Sequence, residues 1–186
     1  AETIEHSKKK RRLTYTNAFL KIYDFPVMYI PKFFHPDPTV RRQSGLLKPE
    51  INHSKILGSS LTMPYYFDIA NNKDLTLAPT LFDNKFLMVQ NEYRQTEKNY
   101  DLLADFGYVR NYKSSSNNTK KNLAHFFSKL NYDLNYKNFL TSNLSLNVSK
   151  VNNDSYLKVF ENHITKSQVK PDDLNVLNNS IKLNLN

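Results

Sequence analysis

The 186-residue sequence has no cysteine and only three glycines. Without cysteine, this stretch offers neither a disulfide framework nor a thiolate metal site. So few glycines argue against phosphate-cradling loops, which need positive φ and close backbone approach. No run of about 18 apolar residues occurs, so no segment reads as a membrane-spanning helix. A membrane β-barrel stays open, because each of its strands shows lipid only every second side chain. The hydrophobic fraction is 39%, low for a soluble core of this length. The sequence starts at Ala1 and ends mid-pattern at Leu183-Asn184-Leu185-Asn186. It is expected to be a piece of a longer chain, so a missing signal peptide excludes nothing.

Recognisable chemistry is also scarce. The five histidines (His6, His35, His53, His125, His163) lie in separate segments without metal-ligand spacing. Asp101 and Asp105 share a face of one strand, but a wet polar face accounts for them. No G-x-S-x-G or Ser/His/Asp arrangement is visible. The reading is a non-enzyme with no catalytic residues, metal or cofactor.

The formal net charge is +9. The one dense basic run, Lys8-Lys9-Lys10-Arg11-Arg12, separates two strand-like segments. It reads as a solvated hairpin turn, or as a contact for anionic lipid phosphates. Nucleic acid is disfavoured, because no second basic cluster with interleaved aromatics forms a stacking platform.

What the sequence has in quantity is alternation. Leu75, Leu77 and Leu81 alternate with Thr76, Ala78 and Thr80. Leu102, Ala104, Phe106 and Tyr108 alternate with Asp101, Asp105 and Gly107, broken by Leu103. Ala124, Phe126, Leu130 and Tyr132 alternate with His125, Lys129 and Asn131, broken by Phe127. Leu144, Leu146 and Val148, then Ile181, Leu183 and Leu185, repeat the pattern. Each strand therefore has one apolar and one polar face. A soluble sandwich would bury the apolar faces between sheets. A membrane barrel would turn them to lipid and the polar faces to a wet lumen. Lys113 to Asn122 (KSSSNNTKKN) reads as a polar loop. The longest connector, Lys150 to Asp173, contains a candidate helical turn at Tyr156–Phe160.

Upstream of these strands lies a joint, Asn17 to Pro49, with five prolines (Pro26, Pro31, Pro36, Pro38, Pro49). Val27 to Ile30 reads as a short strand bracketed by Pro26 and Pro31. From Lys32 to Gly45 turn and breaker residues dominate, the best boundary in the chain.

Four segments carry a resemblance. They are A-F-L-K-I-Y-D-F-P-V-M-Y-I-P at Ala18–Pro31, R-R-Q-S-G-L-L-K-P at Arg41–Pro49, M-P-Y-Y-F-D-I-A at Met63–Ala70, and N-E-Y-R at Asn91–Arg94. With D-L-T-L-A-P at Asp74–Pro79, they resemble the LptD family, also called OstA, in order and approximate spacing. The sequence departs at Gln95, where the family often has Tyr, and at Met28, where Phe is commoner. From Tyr100 onward the match is mainly one of strand pattern.

The resemblance implies an all-β fold: the end of a periplasmic β-jellyroll (1–36), then the first antiparallel strands of a large transmembrane β-barrel (37–186), incomplete here. It implies lipopolysaccharide transport to the outer leaflet of the outer membrane. Implied partners are lipopolysaccharide, an LptE-like plug lipoprotein and an LptA-like periplasmic bridge. Pro49 and Pro64 would fall in the first two barrel strands as lateral-gate prolines. The plainer reading is that Pro49 starts a strand and Pro64 marks a bulge. Leu13, Tyr15, Phe19, Ile22, Met28 and Ile30 are the candidate lipid-groove residues. Arg41 and Arg42 are candidates for lipid-phosphate or membrane-surface contact. A porin-like channel and a soluble β-sandwich binding module are the other function classes this pattern allows.

Overall fold

The computed structural model describes residues 1–9, 11–37, 42–114, 117–164 and 167–186. β1 (Thr3–Ser7), β2 (Arg12–Ile22) and β3 (Phe25–Pro36) form a three-stranded antiparallel sheet in that order. The β2–β3 turn places Tyr23 and Asp24 at φ 47° and 64°. Two consecutive positive φ values suit a tight hairpin turn, whose twist matches that of the flanking strands. β3 is longer than Val27–Ile30 and runs through Pro26 and Pro31. It can do so because it pairs only with β2, and an edge strand tolerates residues that cannot donate. Across from Pro31 the chain kinks at Asn17, φ 49°. The Asn17 side chain is held there by Tyr29 Oη, 2.6 Å, and Glu2, 2.6 Å.

The second sheet contains β4 (Gly45–Leu46), β5 (Glu50–Ser54), β6 (Gly58–Thr62), β7 (Tyr65–Ala70), β8 (Lys73–Phe82) and β9 (Leu87–Thr96). It continues through β10 (Tyr100–Ser114), β11 (Asn117–Asp133), β12 (Ser142–Val151) and β13 (Ser180–Leu185). All pairings are antiparallel, and the sheet is open, from β5 at one edge to β13 at the other. β4 and β5 form one interrupted lane, and β6 and β7 the next, both ahead of β8. The fold is therefore all-β, antiparallel and unclosed. The expected polar loop Lys113–Asn122 is instead mostly strand. β10 and β11 pair as far as Ser114 opposite Asn117. Backbone pairing along a long hairpin overrides the weak strand preference of Ser, Asn and Lys.

Register fixes the faces. Leu75, Leu77 and Leu81 of β8 share a face with Leu102, Phe106 and Tyr108 of β10 and with Phe126 and Leu130 of β11. That face stays open: Leu81 is 59% exposed and Ile181 76%. The opposite face is polar along the half nearest the 71–72 and 97–99 turns, and is covered elsewhere. The covering element is the connector of residues 152–179, which carries α1 (Tyr156–Val159) and α2 (Glu161–Ile164). Its Tyr156, Leu157, Phe160, Ile164 and Val169 pack with Phe82, Phe86, Met88, Val109, Leu123 and Phe127 in one buried cluster. Phe127, the residue that broke the alternation of β11, is fully buried there. Each such large side chain contributes about 1.5–3 kcal/mol on burial. The polar face is thus not wet throughout.

Candidate functional site

The first feature is a broken ladder at the β5 edge. Leu46 pairs with Tyr65, and Leu47 donates its N–H to the Pro64 carbonyl at 2.8 Å. Past the gap, Glu50 pairs with Thr62. Three steps on one lane match two on the other, so the first lane holds one extra residue. Pro49 lies in that bulged gap, and Pro64 lies in the gap of the second lane. Each stands at the interruption of its lane, Pro49 in the first lane of the sheet and Pro64 in the second, and neither is itself a strand residue. The reason is local: neither can donate, and the chain departs from pairing where they stand. The extra residue belongs to the Pro49 lane rather than to Pro64. Toward β8 the second lane keeps one register across the gap, from Thr62 opposite Thr80 to Asp68 opposite Asp74, with Met63 N–H donating to the Pro79 carbonyl at 3.0 Å. The interruption is confined to the edge.

The second feature is an ion cluster beside that edge. Asp74 Oδ2 accepts from Arg42 at 2.8 Å, and Asp74 Oδ1 accepts from Arg94 Nε at 2.7 Å. Arg42 also donates to the Tyr66 hydroxyl, 3.1 Å, and the Asn71 carbonyl, 2.6 Å, and pairs with Asp68 at 3.4 Å. The contact to Tyr66 first, then the nearby carboxylates, raise the guanidinium pKa above its ordinary value, partly offset by burial. Arg42, the candidate for lipid-phosphate or membrane-surface contact, is exposed and holds Tyr66, Asn71 and Asp74 through its donors. Arg41 lies outside the described residues.

The third feature is an apolar cleft of about 390 Å³ between the two sheets. Leu20, Val27 and Met28 line one side, and Ile51, Leu61 and Leu81 the other. The proposed groove residues are not all together. Leu13, Tyr15 and Phe19 occupy one face of the three-stranded sheet, with Tyr15 stacked on Phe33 at 4.5 Å. Met28 and Ile30 lie on the other face, opposite Leu20 and Ala18. Of the five whose side chains are described, only Met28 lines the cleft. The Ile22 backbone pairs with Phe25; its side chain is outside the described set.

The polar face holds one further group that spacing did not reveal. Asp105, His125 and Tyr156 are all buried. His125 Nδ1 is 2.8 Å from Tyr156 Oη, and His125 Nε2 is 3.3 Å from Asp105 Oδ1. Burial first, and Asp105 second, push the Tyr156 phenol above its ordinary pKa, so it stays protonated. Asp105 had been explained by a wet face; it faces a histidine instead. Among the described residues no cluster of three or more His, Asp and Glu could hold a metal ion.

No family model matches the chain. An LPS-assembly protein LptD from Pseudoalteromonas translucida is 31% identical over 141 residues, 76% of this chain and 18% of that protein. Another LptD, from Legionella pneumophila strain Paris, is 29% identical over 174 residues, 88% of this chain and 20% of the relative. A third, from Ectopseudomonas mendocina, is 43% identical over 81 residues, 44% of this chain and 8% of the relative. The chain belongs to the LptD family. It spans about a fifth or less of the length of the LptD relatives it matches. The LptD-like segments are the ones that build the edge. They supply Arg42, Pro49, Pro64, Tyr66, Asp74 and Arg94 to the broken ladder and the ion cluster beside it.

Proposed function

We propose that the parent protein delivers lipopolysaccharide to the outer leaflet of the outer membrane. In this reading residues 1–36 are the last strands of a periplasmic jellyroll that receives the lipid. Residues 37–186 begin the outer-membrane barrel, its open apolar face against lipid and its covered polar face toward the lumen. Lipid leaves sideways where the first lane parts from its neighbours. The relatives are LPS-assembly proteins by name, which supports this.

The observation that carries it is the broken ladder at Pro49 and Pro64, on the same edge lanes that border the apolar cleft. Each proline removes one donor. An unmade backbone bond is costly in lipid, where no water replaces it, so this edge parts more readily than a complete one. Met28, Leu20 and Val27 give acyl chains an apolar wall near that edge. An LptE-like lipoprotein in the lumen and an LptA-like bridge below the jellyroll complete the assembly. The chain's part is transport, without covalent chemistry.

The test replaces Pro49 and Pro64 by alanine in the full-length protein. Two restored donors should tighten the edge and lower the lipopolysaccharide reaching the outer leaflet. Unchanged export would sink the gate. A photo-crosslinker at Met28 should capture lipopolysaccharide during transport, and no adduct with the transport chain active would remove the cleft from the path.

A further inference from the structure

We propose that the 152–179 connector is an internal brace that pins the tip of the β5–β6 hairpin, so that the edge can part only at its proline end. The consequence for lipid release rests on the gate reading above; the brace itself does not. Phe160 and His163 act as positioning residues, through the hairpin.

The tip is held from three directions. Leu57, in the β5–β6 turn of an edge hairpin, is only 1% exposed and belongs to the cluster built around Phe160 and Ile164. His163 reaches across four strands, β8 to β11, to the second lane: its Nε2 is 3.0 Å from Ser60 Oγ. The His163 ring packs on Phe82 at 5.0 Å, and Phe160 meets Phe82 edge-on at 6.4 Å. The neighbouring β8–β9 turn closes the remaining side. Asp83 accepts from Ser59 N–H at 2.8 Å, its own N–H donates to Ser59 O at 3.0 Å, and Asn84 donates to Leu57 O at 3.1 Å. Gly58 has φ +76°, and a Cβ there would come within 2.2 Å of Asp83 Oδ1. The two turns are fitted to each other at this end.

The proline end is built differently. Its ladder slips by one residue, and Pro49 and Pro64 bring no donors. Beneath it is a cavity of about 320 Å³ between the polar face and α2, lined by Leu47, Lys48, Pro64, Gln90, Glu92 and Asn162. The connector therefore packs one end of the hairpin and leaves space under the other. A hairpin clamped at its tip and weakly paired at its base opens by hinging about the tip.

Nitroxide pairs in the full-length protein, reconstituted in membranes, test this. One pair at Lys55 and Lys85 reads the tip, and one at Lys48 and Asn91 reads the proline end. The expected wild-type result is strong, temperature-independent dipolar broadening at the tip and weaker broadening at the base. Phe160→Ala and His163→Ala should each cause loss of the tip signal, and His163→Gln, which keeps a hydrogen-bonding group for Ser60, should restore it. If Phe160→Ala fails to assemble, the His163→Ala and His163→Gln pair decides. A tip signal unchanged in His163→Ala, or a wild-type tip as loose as the base, overturns the brace. Normal export in the Pro49 and Pro64 variants would refute the gate alone, because the tip measurement does not depend on transport.

Discussion

Gly107→Ala should unseat the connector although it adds a single methyl group. Gly107 pairs with His125 across the β10–β11 ladder, and the His125 ring lies over the bare Cα. A Cβ there would stand 2.3 Å from His125 Cε1, 2.5 Å from Nδ1 and 3.0 Å from Tyr156 Oη. The ring cannot swing clear: it stacks on Phe127 at 4.3 Å, bonds Tyr156 and is fully buried. Overpacking of this kind costs about 1–3 kcal/mol, and leaving the buried His–Tyr bond unmade adds about 1–3 kcal/mol. A middle value of about 4 kcal/mol lowers the ratio of seated to unseated connector by roughly a thousandfold. Hydrogen exchange at the amides of Val159, Phe160 and Ile164 reads this directly, because they bond within the connector. Their protection should fall by about that factor. Tyr108→Ala, one residue on but on the open face, should leave it intact. Full protection in Gly107→Ala would refute the reasoning.

Three further outcomes follow from the same geometry. Burial lowers the His163 pKa from its ordinary 6.5, so the seated connector favours the neutral ring. The unseated state then binds more protons, and stability is lost as pH falls through 6.5 toward the lowered value. The groups facing His163 are Ser60, the Phe82 and Phe160 rings and, around the shared cavity, Glu50, Glu92 and Asp105. Connector protection should weaken as the pH falls below 6.5, and His163→Gln should flatten that profile. Asp74→Asn should destabilise the edge by about 1–3 kcal/mol, toward the low end because both arginines are partly solvated, as measured by denaturant unfolding of the refolded protein. Gly58→Ala should cost about 1–2 kcal/mol from its left-handed backbone alone, more with the Asp83 clash, and should loosen the Lys55–Lys85 label pair.

Much of the second sheet was legible because strand periodicity is local. A residue's face depends only on parity within its strand, so Leu75, Phe106 and Ile181 could be placed from sequence. The exceptions were informative. Phe127 broke the alternation because it faces a connector contributed from 29 or more positions further on, which parity cannot foresee. β3 was read too short, because whether a strand lies at an edge is a property of the sheet, and only there is proline tolerated. Lys113–Asn122 was read as a loop for the opposite reason: its polar residues are carried by a long paired hairpin. Arg42 was flagged by its breaker-rich setting, yet its partner Asp74 is 32 positions away, and Arg94, which shares Asp74 with it, is 52 away, brought together by register.

The sequence by itself determined the strand class, the two-faced character of the sheet, the prolines at the joint and the family. These rest on backbone donors and on side-chain alternation, which the local chain specifies. Tertiary structure decided where the prolines stand, in gaps rather than in strands. It decided that Arg42 meets Asp74, that the five described groove candidates divide between two faces, and that the polar face is half covered. Each depends on which distant segments share a surface, and burial and ion pairing take their energy from that sharing rather than from the residues one by one.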